Sequence, residues 1–118
     1  MHELMAELSK DLIAASATPL ILSILSVEES YGYQIIKKIT EISDDRIHWK
    51  EGTLYPVLHK MENSGIIKSK WKVAENGRKR KYYQINKKGK KILDEELDHW
   101  RLIFNSLKKL WSEKGTEN

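Results

Sequence analysis

"EGTLYPVLHKMENSGIIKSKWKV", residues 51–73, changes its hydrophobic period partway along, and that change decides the fold. Up to Gly65, the apolar positions Leu54, Val57, Leu58 and Met61 recur at helical spacing. Thr53 or Gly52 is expected as N-cap. Pro56 then falls in the first turn, where its missing N–H is harmless, and Gly65 has the position of a left-handed C-terminal residue. The outward face presents Tyr55, Pro56, His59, Lys60 and Asn63, which is polar and aromatic rather than an ordinary lysine–glutamate solvent face. After Gly65 the period falls to two. Ile67, Ser69, Trp71 and Val73 alternate with Lys68, Lys70 and Lys72, predicting a half-buried strand with a cationic outer face.

An answering strand follows in "RKRKYYQI" (78–85), with Tyr83 and Ile85 expected inward. Between the strands, Asn76-Gly77 tolerates the positive φ of a hairpin turn. The consecutive cations Arg78, Lys79, Arg80 and Lys81 therefore belong to a folded hairpin, not to a disordered basic tail. Tyr82 is left open between the hairpin surface and contact with a partner.

Towards the N-terminus, "YGYQIIKKITEI" (31–42) is helical through Ile35, Ile36, Ile39 and Ile42, with Gln34, Lys37, Lys38 and Glu41 opposite. Residues 4–25 are also helix-patterned, through Leu4, Leu8, Leu12 and Ala15 and then the run "PLILSIL" (19–25). Pro19 lacks a backbone donor, so a break is expected near Thr18, with Thr18 as the N-cap of a second piece. Residues 26–30 are a polar connection. Towards the C-terminus, the chain from Lys88 to Lys114 is one long helix. Leu93, Leu97, Trp100, Phe104, Leu107 and Trp111 follow the a/d spacing of a helix–helix seam, widened by Ile92, Ile103 and Leu110. This seam, with Leu4, Leu8 and Leu12, is expected to pack on a second copy of the chain; the alternative is a core helix within one chain.

A chain of 118 residues with 40% hydrophobic content is one domain's worth of protein. It has no Cys, which excludes disulfides, thiolate zinc sites and cysteine nucleophiles. The first twelve residues carry three acids and no long apolar run, arguing against a signal peptide or membrane span and for a cytoplasmic protein. Net charge is +4, but unevenly placed. Residues 1–30 hold one cation against five acids, residues 31–86 twelve against six, and residues 87–118 eight against six. A cationic middle of this kind is expected of a module that faces a polyanion. Enzyme chemistry finds no constellation: Glu95 and His99 stand one helical turn apart without further ligands, and neither a phosphate loop nor an activated serine is present. No cofactor or metal is expected.

Three helices, a basic hairpin and a final helix give the expected fold: mainly α with a small β-hairpin, a winged helix-turn-helix over residues 10–86, and a C-terminal dimerisation helix over 87–114, in a single domain 1–118. The third helix can enter a major groove while the hairpin lies along phosphates or the adjacent minor groove. Tyr33, Gln34, Lys37 and Lys38 could hold the DNA backbone, and Thr53, Tyr55, Pro56, His59 and Lys60 could read the groove. Lys68, Lys70, Lys72 and the run Arg78–Lys81 could take phosphates. A winged helix used for protein or RNA contacts is the competing reading.

The stretches "YGYQIIKKI", "EGTLYPVLHKMENSGII" and "GRKRKYYQINKKGKKIL" resemble the PadR family of bacterial transcriptional regulators. The match runs from about residue 10 to 112. It implies a homodimeric winged-helix repressor of double-stranded DNA that senses small molecules and dimerises through its first and last helices, here Leu4, Leu8, Leu93, Leu97, Leu107 and Trp111. The third-helix and hairpin residues named above match the family's DNA-contacting positions. Trp100, eleven residues after Gly89, is similar to the tryptophan of a small, multidrug-binding branch in which paired indoles sandwich flat aromatic ligands between subunits. The matching walls would be Leu12, Ala15, Thr18, Pro19 and Ser23 from the first helix, with Ile92, Glu96, Leu97, Trp100 and Phe104 from the last. Phe104 stands where that branch has an acid, and Glu96 where it has a small residue. Both a pocket for a planar, cationic hydrophobic ligand and one partly closed by Phe104 are compatible with these residues, as is Trp100 packing in the seam.

Overall fold

The computed structural model describes residues 9–113. Helix α1 (Lys10–Val27) starts at Ser9, whose hydroxyl accepts a hydrogen bond from the Leu12 amide at 3.0 Å. It runs unbroken through Pro19, so the expected restart at Thr18 does not occur. A proline inside a helix costs about 3 kcal/mol. Ile21, Leu22 and Leu25 just beyond it are buried in the core, and at about 2 kcal/mol each their burial outweighs that cost. By length and composition α1 could cross a membrane, but these buried residues commit one side of it to the core.

Strand β1 (Ser30–Tyr31) leads directly into α2 (Gly32–Ile42). The Gln34 side chain turns back to accept the Tyr31 amide at 3.2 Å, which caps that helix. The chain leaves α2 through Asp44 and Asp45, both with positive φ (53° and 64°). The connection then dips inward: Ile47 and Trp49 are buried, and the Ile47 amide donates to the Ser43 hydroxyl at 3.0 Å.

Helix α3 (Glu51–Asn63) is capped two or three residues before the expected Gly52 or Thr53. Its N-cap is Lys50, whose carbonyl accepts the amides of Thr53 and Leu54. Thr53 and Gly52 are therefore helical, and Pro56 lies beyond the first turn. The helix ends in a Schellman motif: the amides of Gly65 and Ile66 donate to the carbonyls of Glu62 and Met61, with Gly65 at φ +78°.

Strands β2 (Ile67–Val73) and β3 (Lys79–Ile85) form an antiparallel hairpin, and β1 joins the free edge of β3 to give the order β1-β3-β2. Ile67 faces Ile85, Ser69 faces Tyr83, Trp71 faces Lys81 and Val73 faces Lys79. The turn closes through Gly77 at φ +82°, and the Asn76 side-chain oxygen accepts the Arg78 amide at 3.0 Å. Helix α4 (Lys87–Glu113) is capped by Asn86, whose side-chain oxygen accepts the Gly89 amide at 2.9 Å. Its first turn lies so close to the α3–β2 turn that a Cβ on Gly89 would come within 2.1 Å of the Ile66 carbonyl oxygen.

The core gathers Ile21, Leu22 and Leu25 of α1, Ile35 and Ile39 of α2, Leu54, Leu58 and Met61 of α3, and Ile67 and Tyr83 of the sheet. Leu93 joins it at 7% exposure. Its expected place in an intersubunit seam is therefore corrected: the first turns of α4 pack on their own chain, with Ile92 and Leu97 half-buried beside Leu93. Further along α4, Ile103, Phe104, Leu107, Leu110 and Trp111 are all more than half exposed. Leu4 and Leu8 lie outside the described residues.

Candidate nucleic-acid interface

Helix α3 buries Leu54, Leu58 and Met61 at spacings of four and three, so its opposite side must face out. Thr53, Pro56, His59 and Lys60 are all exposed there, together with Asn63. Tyr55 is different. It is half-buried against the core, and its hydroxyl sits over Gly32 at the start of α2. Burial, followed by the charge of Glu51, pushes its pKa up, and the Arg80 guanidinium opposes this. Tyr55 thus fixes the approach of α3 to α2, and its ring also meets the His59 imidazole of the exposed ridge, centroid to centroid at 6.4 Å.

On α2, Tyr33, Gln34, Lys37 and Lys38 are exposed on one side. Gln34 spends its side-chain oxygen on the helix cap and retains its amide donors.

The hairpin divides its side chains between two faces. The inner face, whose root packs on the core, carries Ile67, Ile85, Ser69 and Tyr83, then Trp71, Lys81, Val73 and Lys79 towards the tip. The outer face carries Lys68, Gln84, Lys70, Tyr82, Lys72 and Arg80, with Tyr31 of β1 opposite Tyr82. Trp71 and Val73, expected to be half-buried, are 63% and 65% exposed. The alternation is as expected, but the hairpin runs past the end of the core, and among the described residues Trp71 and Val73 stay uncovered.

Lys72 was expected on the phosphates, yet it is paired within the chain. Its ammonium forms an ion pair with the Glu29 carboxylate and lies 4.6 Å from the centroid of the Tyr82 ring. The other Glu29 oxygen accepts from the Gln84 amide at 2.8 Å. Beside them, the Tyr31 and Tyr82 rings meet edge to face at 5.2 Å, and the Arg80 guanidinium lies 4.8 Å from the Tyr31 centroid. The run Arg78–Lys81 is therefore not uniform: Arg78 is exposed at the turn, Lys79 and Lys81 belong to the inner face, and Arg80 is stacked on the outer one. Glu29 lies in what reads only as a polar connection, and Tyr31 reads as the start of α2, because a two-residue strand leaves no periodic signal.

Buried Tyr83 anchors this arrangement. Its ring is fully covered, its hydroxyl has no hydrogen-bond partner among the described residues, and its pKa is pushed up to about 12, chiefly by burial. Ser69 ties the same face to α3, donating from its hydroxyl to the Glu62 carboxylate at 2.7 Å.

The residues expected to wall a ligand pocket differ in exposure within one protomer. Leu12, Ala15 and Phe104 are exposed, Thr18, Ser23, Ile92, Glu96, Leu97 and Trp100 are partly covered, and Pro19 is buried in the protomer's own core-facing surface. Pro19 is therefore unavailable as an open wall. A groove of about 810 Å³ between α1, α3 and the α2–α3 connection contains only Thr18 of this set, alongside Ile13, Ala17, Trp49, Val57 and Met61.

A three-helix unit with its third helix exposed on one side, followed by a cationic β-hairpin closed onto a short strand before α2, is a winged helix-turn-helix. Residues 21–95 match the model of the transcriptional regulator PadR-like family. Solved structures agree. A transcriptional regulator from Clostridium thermocellum is 34% identical with a TM-score of 0.75, covering 85% of this chain and 97% of that one. A PadR-like regulator from Bacillus cereus is 31% identical with a TM-score of 0.77, covering 86% and 96%. A PadR family regulator from Clostridium difficile is 34% identical with a TM-score of 0.71, covering 80% and 97%. An uncharacterized protein X from Lysinibacillus sphaericus is 32% identical over 90 residues, 76% of this chain and 83% of that protein. The chain belongs to the PadR-like family of transcriptional regulators, and its function is DNA-binding regulation of transcription.

Proposed function

We propose that the protein is a homodimeric, sequence-specific repressor that acts in the cytoplasm and is released from its operator by a small planar hydrophobic ligand. The observation that carries the DNA-reading part is the exposed ridge of α3. Thr53, Pro56, His59 and Lys60 offer hydrogen-bonding and cationic groups along a helix narrow enough for a major groove. Lys37 and Lys38 of α2 and Arg78, Lys79 and Lys81 of the wing flank that ridge and supply phosphate contacts, which position the protein without specifying sequence.

Dimerisation is supported by the distal half of α4. Leu107 and Trp111 are 53% and 58% exposed, on a stripe shared with Ile103, Phe104 and Leu110. Two copies joined there would present two α3 helices to successive major grooves about one helical turn apart. The ligand part rests on Trp100, half-covered on α4 above Leu97, where a second copy would bring its own indole near. A flat ligand between them would weaken DNA binding if it favoured a subunit spacing unable to span both grooves.

Nuclease protection of DNA upstream of the protein's own gene tests the dimeric repressor. Two protected half-sites related by two-fold symmetry are the expected result, and protection of one isolated half-site would count against it. Planar dyes added to the protected complex should remove protection in the wild type and fail to do so in Trp100→Ala. Equal release from both would remove Trp100 from the ligand site.

A further inference from the structure

We propose that the wing meets double-stranded DNA with its inner face, through Trp71, Val73, Lys79 and Lys81, while the outer face holds Lys72 and Arg80 back within the protein. This rests on the DNA-binding reading above and says which side of the hairpin does the work.

Three observations carry it. The root of the inner face lies on the recognition helix, because the Ser69 hydroxyl is bonded to Glu62 of α3 and Tyr83, its cross-strand partner, sits in the core. The alternation carries on from there, so the next positions on that face are Trp71 beside Lys81 and Val73 beside Lys79, on the face whose root is tied to α3. Trp71 and Val73 are left more than 60% exposed, and an indole and a valine so exposed side by side on a regular hairpin call for an occupant.

Charge selects that occupant. The apolar pair faces Lys79 and Lys81 across the strands, with the Lys81 ammonium 5.8 Å from the Tyr83 centroid and not ion-paired among the described residues, so a partner with anionic groups spaced around apolar edges fits: phosphates for the lysines, deoxyribose or a thymine methyl for the indole. On the outer face Lys68 and Lys70 are exposed, but the two cations nearest the tip are engaged within the protein. The Lys72 ammonium is matched by Glu29 and lies over the Tyr82 ring, and Arg80 is stacked on Tyr31 with its Nε buried and without a hydrogen-bond partner among the described residues. Glu29 also binds Gln84, so it ties both wing strands to the connection before α2. Glu29 is thus a positioning residue that fixes which face is turned to DNA.

The test is the salt dependence of affinity of the full-length protein for a duplex from upstream of its own gene and for a random duplex of equal length. Each phosphate contact contributes about 0.9 to the slope of log affinity against log salt. Lys79→Ala and Lys81→Ala should each flatten the slope by about that amount on both duplexes. Lys72→Met, which removes an ammonium already engaged by Glu29 and Tyr82, should leave it unchanged. Trp71→Ala should weaken binding about tenfold with the slope preserved, since it removes contact area and no cation. A flattened slope in Lys72→Met with unchanged slopes in Lys79→Ala and Lys81→Ala would overturn the assignment of the face while leaving DNA binding intact. Wild-type protein that binds neither duplex would overturn the DNA-binding reading itself.

Discussion

The Tyr55 hydroxyl of α3 occupies the space that a side chain on Gly32 of α2 would need: a Cβ there would stand 2.4 Å from the hydroxyl oxygen and 2.8 Å from the ring carbon that bears it. The two helices of the DNA-binding unit are therefore locked at a separation that only glycine permits. Gly32 begins α2, immediately after the strand that closes the wing, so this one contact joins helix angle to wing position.

Gly32→Ala should destabilise the fold by about 1–3 kcal/mol, the cost of overpacking a close contact. It should do so despite the helix-favouring character of alanine, worth about 1 kcal/mol. Denaturant unfolding checks this. Tyr55→Phe in the same chain should restore only part of the loss, because the ring carbon remains close.

Tyr83 makes stability depend on alkaline pH. Its pKa rises from 10.0 to about 12 on folding, chiefly through burial, so the neutral phenol is the form the fold favours. Its stabilising contribution is fully present below pH 10, where the unfolded chain still holds the proton, and is lost as pH rises from there through about 12. The hydroxyl has no hydrogen-bond partner among the described residues, so Tyr83→Phe should cost little at neutral pH. Thermal melts of both proteins across this range should converge at neutral pH, with the wild type falling more steeply at alkaline pH.

The distal half of α4 makes a prediction about assembly. Leu107→Asp places a carboxylate on the exposed apolar stripe, away from the core formed by Leu93 and its neighbours. It should turn a dimer into a monomer in sedimentation measurements while leaving the helix content unchanged. A variant that sediments like the wild type would move the subunit interface elsewhere.

Much of this architecture was legible in the residues, for a physical reason. The shift from the helical spacing of Leu54, Leu58 and Met61 to the alternation from Ile67 marks where α3 gives way to the wing, and the left-handed Gly65 stands between them. Asn76-Gly77 likewise announced its turn. What escaped depends on tertiary context. Alternation tells which residues share a face but not how far the core reaches, so Trp71 and Val73 were expected to be covered. Pro19 reads locally as a break, and only the burial of Ile21 and Leu22 keeps α1 intact. Ile47 and Trp49 are buried from within an irregular connection that carries no period at all. In the candidate interface, counting cations could not show that Lys72 and Arg80 are engaged inside the protein, since Glu29 and Tyr31 reach them from more than forty residues away in sequence.

The central claim is that α3 reads sequence while the wing and α2 hold the backbone. Fluorescence anisotropy with the upstream duplex and a scrambled duplex of the same composition, each titrated as salt is raised, tests it most directly. The prediction is a specific duplex bound at least about 1,000-fold more tightly than the scrambled one at physiological salt, with His59→Ala and Lys60→Ala narrowing that ratio and Lys37→Ala weakening both duplexes alike. Equal binding of the two duplexes at every salt concentration would contradict it.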